Sequence, residues 1–211
     1  MVRRVAVSTS RWVASRVLVA ACAVALGLAV LGLAVPAAAA GPAQPALPGV
    51  LIPDGATPYL RTHAVGTQNY ICLATGSGLA WRFVGPQATL FVTLFGVEQQ
   101  VTTHFLSPNP DEAAIARATW QALFDSSRVW ARATQIVDDP TVIGTGNIPW
   151  LLLQRVGARR GPTGGSLLSQ ATWIQRVHTV GGVAPATGCS QSTDTGRIEL
   201  VPYSTDYVFL R

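Results

Sequence analysis

The sequence predicts an all-β fold, a sandwich or barrel of about eight to ten short strands with one short helix, placed after a cleaved signal peptide. Residues 1–40 have the order of an export signal, and residues 41–58 are rich in proline. Over residues 59–211, short β-type segments alternate with turn residues. Strands at such spacing, without an internal repeat, are typical of a single sandwich or barrel domain.

The predicted signal peptide covers residues 1–40. Four arginines precede an uncharged apolar run from Val17 to Val35, which is followed by Pro36 and four alanines. A charged, an apolar and a small-residue segment in this order are typical of a secretory signal, here with cleavage near Ala40. The run has 19 residues and is long enough to span a bilayer, so a retained anchor is the alternative. We expect contact with a membrane only through an uncleaved signal segment.

Residues 41–58 form a predicted flexible or extended linker, and residues 59–211 a single β-rich domain. After the first 40 residues the chain keeps 11 arginines and 10 acidic residues, with no lysine, for a net charge of +1 (11 − 10). The net positive charge of the whole chain therefore comes mostly from the predicted signal peptide. No basic patch remains that would predict a nucleic-acid partner.

The strand segments of the first half are rich in aromatic and β-branched residues, which favour strands. Trp81 and Phe83 alternate with Arg82 and Val84, and Gly96 marks the turn between two later segments. The predicted strands of this half cover residues 67–73, 79–84, 88–95 and 97–106.

One short helix is predicted between residues 107 and 118. Asn109 is a suitable N-cap, Pro110 suits the first helical position and Glu112 the third. Ala113 and the residues up to 118 are good helix formers.

The second half continues with strands separated by clear turn signals. The sequence Asp125-Ser126-Ser127 predicts a hairpin turn. The segment 148–156 is the most continuously apolar one, so we expect a strand covered on both faces, with Trp150 in the core. The predicted strands of this half cover residues 119–124, 128–136, 148–156, 166–180, 197–201 and 203–210, with turns at 138–140 and 161–165.

Cys72 and Cys189 are the two cysteines outside the signal peptide. An even number of cysteines in an exported chain predicts a disulfide, here closing a separation of 117 residues. Two separate buried thiols are the alternative. A bridge would exclude catalytic cysteine chemistry.

The sequence contains no recognisable catalytic motif. It has no Gly-x-Ser-x-Gly nucleophile elbow and no His-x-His or His-Glu-x-x-His pattern. A fold could bring His104 and His178 together with Asp111 or Glu112 as metal ligands, but separate hydrogen-bonded histidines are the commoner arrangement. We therefore predict no metal and no cofactor.

Four residues are candidates for a functional role: His104, His178, Trp120 and Trp130. His104 lies at the end of a predicted strand, next to a loop, where sites are often built. The alternative is a structural histidine whose ring nitrogens hydrogen-bond backbone groups and fix that loop. Trp120 and Trp130 flank the predicted hairpin and are the candidate surface pair of tryptophans, in which role they could bind a sugar. For any single tryptophan, packing in the core is the favoured interpretation.

Six motifs along the chain share their order with a known family. They are QNYIC at 68–72, WRFVGPQATL at 81–90, THF at 103–105, IPWLLLQ at 148–154, WIQRVHTVGGVAPATGC at 173–189 and VPYSTDYVF at 201–209. In this order they resemble DUF3455, a family of exported bacterial and fungal proteins with a domain of unknown function. The resemblance covers about residues 65–211.

The resemblance implies that the two cysteines occupy the paired positions of the family and that His104 is its usual histidine. His178 stands where the family more often has asparagine, and residues 107–118 replace a shorter link. The family has no established reaction, so the resemblance implies no mechanism.

We expect an exported, secreted or extracytoplasmic domain with a non-enzymatic binding or structural role, and an extracellular glycan or cell-envelope component as its partner. The alternative is a secreted hydrolase or metal-dependent enzyme that uses His104 with carboxylate partners. The surroundings of His104 discriminate between the two, since an enzyme would place a carboxylate or a second histidine beside it in a pocket.

Overall fold

The computed structural model describes residues 46–211. The predicted signal peptide, residues 1–40, and the first part of the predicted linker lie outside the described residues. The described chain contains eight β-strands and one α-helix of a single turn, α1 (Pro140–Ile143). The strands are β1 (Pro58–Thr75), β2 (Gly78–Leu94), β3 (Val97–Asn109), β4 (Ile115–Ala122), β5 (Arg128–Val137), β6 (Trp150–Arg159), β7 (Trp173–Gly181) and β8 (Ile198–Leu210).

No helix within residues 46–211 has the length and apolar character needed to cross a membrane.

The eight strands form one closed antiparallel barrel. Each strand pairs with the next along the chain, and β8 pairs with β1 to close the ring. The all-β prediction is confirmed, and of the two predicted architectures the structure adopts the barrel. An eight-stranded barrel has an interior that side chains can fill or that can hold one small ligand.

The main core lies inside the barrel. On β8, Tyr203, Tyr207 and Phe209 alternate with outward residues and are at most 3% exposed. They pack with Trp120 of β4 and Leu90 of β2 in one buried cluster. The spacing of two places these side chains on the inward face of β8. Toward the end of the strand the other face is buried as well, at Val208 and Leu210.

A second buried cluster covers the outside of β6 and β7. Trp150 and Val177 pack there against Leu51 of the segment before β1 and Ile143 of α1. The side-chain amide of Gln175 donates to the Leu51 carbonyl over 2.7 Å, which ties that segment to the barrel. Trp150 is 2% exposed, so the prediction that it lies in the core is confirmed.

The predicted helix after Asn109 is much shorter than expected. The Asn109 side chain caps it by accepting from the Asp111 amide, but the 3-10 helix ends at Glu112. Ala113 and Ala114 then have φ of 50° and 64°, in the left-handed region, which turns the chain back. The residues that follow form β4 and pair with β3, so the helical interpretation of 113–118 is wrong.

In two places, a pair of strands predicted as separate forms one continuous strand in the structure. The segments 79–84 and 88–95 both belong to β2, and the segments on either side of Pro202 both belong to β8. Pro202 is tolerated because the β7–β8 ladder ends at the pair Gly181–Tyr203, so no ladder hydrogen bond from β7 needs the N–H that proline lacks. The predicted strand 166–180 is also wrong in its first half, because β7 begins only at residue 173.

The hairpin and the disulfide are both confirmed. Residues 123–127 connect β4 and β5, where Asp125 Oδ1 accepts from the Ser127 amide. Cys72 of β1 is bonded to Cys189, with the two Cα atoms 5.5 Å apart. The loop that carries Cys189 is held further because Trp81 Nε1 donates to the Thr187 carbonyl over 3.0 Å.

The barrel wall is incomplete between β2 and β3. Their pairing ends at Ala88 and His104, so residues 78–87 pair only with β1 and residues 105–109 only with β4. The Leu106 side chain fills part of this opening, since a Cβ on Gly85 would lie 3.0 Å from Leu106 Cγ. The opening leads to the site described next.

Candidate functional site

A small cavity lies inside the barrel beside the opening between β2 and β3. Its volume is about 70 Å³, enough for one small polar group. Phe83, Pro86, Leu106, Ala118 and Leu153 form its apolar wall. The polar residues that line it are Gln68, His104, Trp120, Arg176 and Tyr207.

Three of these polar residues carry a buried group without a hydrogen-bond partner in the described structure. The groups are Gln68 Nε2, Trp120 Nε1 and the Tyr207 hydroxyl, and the Tyr203 hydroxyl on the same strand is also unpaired. Most buried polar side-chain atoms in proteins are paired, and an unpaired one costs about 1–3 kcal/mol. Because the Gln68 and Trp120 nitrogens are donors only, the cavity offers hydrogen-bond donors that lack acceptors.

His104 lies within an aromatic cluster on one side of the cavity. Its ring stacks on Trp120, with centroids 4.2 Å apart and planes 10° apart, and meets the Tyr207 ring edge at 5.2 Å. Nδ1 is 2.9 Å from the Thr119 carbonyl oxygen. Because a carbonyl only accepts, Nδ1 carries the proton and Nε2 carries the lone pair.

Burial keeps this imidazole neutral. It lowers the pKa of His104 to about 3, and the hydrogen bond to Thr119 offsets only part of the effect. The positive charge of Arg176 acts in the same direction as burial. His104 therefore contributes no charge to the cavity at neutral pH.

Arg176 brings the one full charge among the residues that line the cavity. Its Nε and Nη2 atoms donate to the Pro149 carbonyl over 3.2 and 2.8 Å. The guanidinium also lies close enough to the Tyr207 hydroxyl to act on the pKa of that group. The side chain is half-buried, and none of the ion pairs among residues 46–211 includes it. A half-buried cation without an anion is costly, so the site favours an acceptor that carries negative charge.

The tyrosine hydroxyls remain protonated. Burial raises the pKa of Tyr203 and of Tyr207, and the positive charge of Arg176 acts in the opposite direction without reversing the shift. Both hydroxyls can therefore donate a hydrogen bond at neutral pH.

An outer groove of about 810 Å³ adjoins the cavity. The groove and the cavity share Pro86, His104 and Leu106, so the two spaces meet at these residues. Val65, Val84 and Leu200 line the groove, and each of these apolar side chains is more than half exposed. Together, cavity and groove form one depression in the barrel wall, with Arg176 and the unpaired polar groups at its inner end. Its outer end combines these apolar side chains with polar residues such as Asn69 and Gln87.

The other predicted histidine lies elsewhere. His178 Nδ1 is 2.9 Å from one oxygen of Asp206, and His63 Nδ1 is 2.9 Å from the other oxygen. Residue 178 lies at the irregularity in β7, with a φ of 53°. Sequence reasoning missed His63 and Asp206, because their side chains meet only through the pairing of β1 with β8.

The metal site that His104 and His178 could have formed with acidic partners is absent from the described structure. Asp111 pairs with Arg159 and Glu112 pairs with Arg117 instead. His104 and His178 have different neighbours, as described above. No group of three or more His, Cys, Asp or Glu side chains within residues 46–211 is arranged to hold a metal ion.

The hypothesis that Trp120 and Trp130 form a surface pair is wrong, and both side chains are buried, as the core interpretation predicted. Trp120 is fully buried inside the barrel, and Trp130 is 3% exposed. Trp130 lies one strand away, beside Thr119, where its Nε1 donates to Ser107 Oγ over 2.9 Å and Arg128 covers its ring. Closure of the barrel buries the side chain that the hairpin alone would leave exposed.

Three polar residues of the cavity were not singled out from the sequence: Gln68, Arg176 and Tyr207. None of them belongs to a catalytic motif. The one available signal was the position of Arg176. It lies two residues after apolar Ile174 and therefore on the same face of the strand. A charged residue on a core-facing position is a departure from the pattern of a half-buried strand.

A family model described as a protein of unknown function, DUF3455, matches residues 53–211. Comparison with curated proteins gives no significant match, and neither does comparison with solved structures. The family match covers most of the chain and includes all eight strands of the barrel. The chain therefore belongs to the DUF3455 family of proteins of unknown function.

Proposed function

We propose that this protein is an exported, non-enzymatic binding protein that holds part of a small ligand in the cavity of its barrel. The observation that carries the proposal is the set of unpaired donors around the cavity, Gln68 Nε2, Trp120 Nε1 and the Tyr207 hydroxyl. A ligand with hydrogen-bond acceptors would pair these groups and remove their cost of burial.

The surroundings of His104 favour binding over catalysis. Its Nδ1 proton is committed to a backbone carbonyl, and its pKa of about 3 makes Nε2 a weak base at neutral pH. The enzymatic alternative needs a carboxylate beside this ring. Among residues 46–211, no carboxylate forms a hydrogen bond or ion pair with His104.

Export is supported by the signal-like first 40 residues and by the disulfide. Disulfides form and persist mainly in oxidising compartments outside the cytoplasm. The ligand would then come from the cell envelope or the extracellular medium. A glycan fragment and a small organic acid are the two classes that such surroundings offer.

A ligand screen on the purified domain tests the proposal. We expect a panel of small sugars, acids, alcohols and amines, followed by thermal shift and ligand-observed NMR, to identify at least one class that binds. Ala118→Leu would fill the cavity and abolish that binding, because Ala118 lines it. Ala116→Leu on the same strand is the matched control, since Ala116 is exposed, and should bind as the wild type does.

Binding that persists unchanged in Ala118→Leu would place the ligand elsewhere and contradict the proposal. A folded protein that binds no member of the panel would also contradict it.

A further inference from the structure

We infer that the ligand is an amphipathic monocarboxylate, with its carboxylate in the cavity on Arg176 and its apolar tail past Leu106 in the outer groove. This inference rests on the proposed function and specifies its ligand class.

The charge of Arg176 selects an anion over a neutral molecule. The guanidinium is half-buried and its described neighbours supply one carbonyl oxygen but no carboxylate. A sugar or an alcohol would satisfy the unpaired donors but would leave the positive charge uncompensated. A carboxylate satisfies both, because its two oxygens accept several hydrogen bonds and its charge pairs with the guanidinium.

The size and charge of the cavity favour a single carboxylate over a larger or doubly charged group. His104 is neutral, so Arg176 offers one positive charge and would balance one negative charge. The volume of about 70 Å³ matches one small polar group. A phosphate ester would bring more charge than the site compensates.

The groove explains why the carboxylate would carry a tail. When the carboxylate is held in the cavity, the rest of the ligand must pass through the opening between β2 and β3. Leu106 lies there, between cavity and groove. Beyond it, the exposed side chains of Val65, Val84 and Leu200 line the groove among polar residues such as Asn69 and Gln87, and they offer apolar contacts to a tail. Burying a hydrocarbon chain on this surface would add affinity with each methylene group.

Titration calorimetry in a carboxylate-free buffer tests the inference with four compounds: acetate, octanoate, octanol and octylamine. We expect octanoate to bind at least tenfold more tightly than octanol or octylamine. Among carboxylates of increasing length, affinity should rise about threefold per methylene group until the tail outgrows the groove.

Two pairs of variants test the carboxylate site and the outer groove separately. Arg176→Gln should reduce the preference for octanoate over octanol at least tenfold, whereas Arg155→Gln, which removes a surface arginine of β6, should leave that preference unchanged. Val84→Ser should weaken octanoate but not acetate, and Val183→Ser, at an exposed valine outside the groove, is its control. If Arg176→Gln fails to fold, Arg176→Lys takes its place. This variant keeps the charge and should retain a preference for octanoate over octanol.

The outcomes distinguish this inference from the proposed function. Equal binding of octanoate and octanol would overturn the inference that the ligand is a carboxylate. Preferred binding of a sugar that Ala118→Leu abolishes would do the same. In both cases the proposed binding function would stand. Equal binding of acetate and octanoate would overturn the role of the groove. Failure of acetate and octanoate to bind the folded protein would overturn this inference alone, whereas failure of every compound in the broader screen would overturn the proposed function as well.

Discussion

The unpaired hydroxyl of Tyr207 gives the sharpest test of whether the barrel interior is built for a ligand. The hydroxyl is buried, its residue is 1% exposed, and it has no hydrogen-bond partner in the described structure. In Tyr207→Phe the ring remains and only this oxygen is lost. We expect the variant to be as stable as the wild type or more stable by up to about 1 kcal/mol, because an unpaired buried polar group is removed.

Tyr59→Phe is the matched control. Its hydroxyl donates to the Leu167 carbonyl over 2.9 Å, and Tyr59 does not line the cavity. Loss of this hydrogen bond should lower the free energy of unfolding by about 0.5–1.5 kcal/mol. For a domain of this size, that corresponds to a fall of a few degrees in Tm.

Tyr59→Phe should therefore lose stability and keep its binding, whereas Tyr207→Phe should keep its stability and lose binding. Urea unfolding with the disulfide intact measures the first, and titration with a ligand from the screen measures the second. We expect Tyr207→Phe to weaken binding about tenfold and Tyr59→Phe to leave it unchanged. A loss of more than about 1.5 kcal/mol of stability in Tyr207→Phe with unaltered binding would refute the reasoning, because the hydroxyl would then have a structural partner.

Three further predictions follow from the fold. Trp150→Ala should lower the free energy of unfolding by about 3–5 kcal/mol, measured by urea denaturation, and a loss below about 1 kcal/mol would place Trp150 outside the core. Intact-mass analysis of the exported protein should show a start near residue 41, whereas full-length protein in the membrane fraction would indicate a retained anchor. Because His104 has a pKa of about 3 when folded and about 6.5 when unfolded, the unfolded chain binds more protons between these values and acidification destabilises the fold. The wild type should lose up to about 1.4 kcal/mol per pH unit below 6.5 relative to His104→Phe in urea titrations, and parallel pH profiles would contradict this.

The fold could be predicted because its signals are local. Strand alternation, the Asp125 turn and the even number of cysteines each depend on a few residues, and each is confirmed. The errors occurred where tertiary structure overrides local preference. Ala113 and Ala114 are good helix formers, but they adopt left-handed backbone angles because the chain must return to pair with β3.

The cavity could not be predicted in the same way, because its residues come from distant strands. Gln68, Trp120, Arg176 and Tyr207 lie on β1, β4, β7 and β8, and only closure of the barrel brings them together. Sequence alone singled out His104 and Trp120, but for a role at a loop or on the surface. Their place inside the barrel depends on strand pairing across the whole sheet, which no short motif encodes.

The polar interior is the feature that requires a functional explanation. A barrel selected for stability alone would fill this space with apolar side chains, since a half-buried arginine and several unpaired donors all oppose folding. Natural proteins break the rules of core packing mainly at functional sites. The departures from these rules in this chain include three unpaired donors and a half-buried cation around one cavity, next to an opening in the wall. Of the seven buried side-chain atoms without a partner among the described residues, three line this one cavity, and others such as Trp150 Nε1 lie apart from it. The coincidence of these three groups with the cation and the opening is the strongest argument that the DUF3455 barrel binds a ligand there.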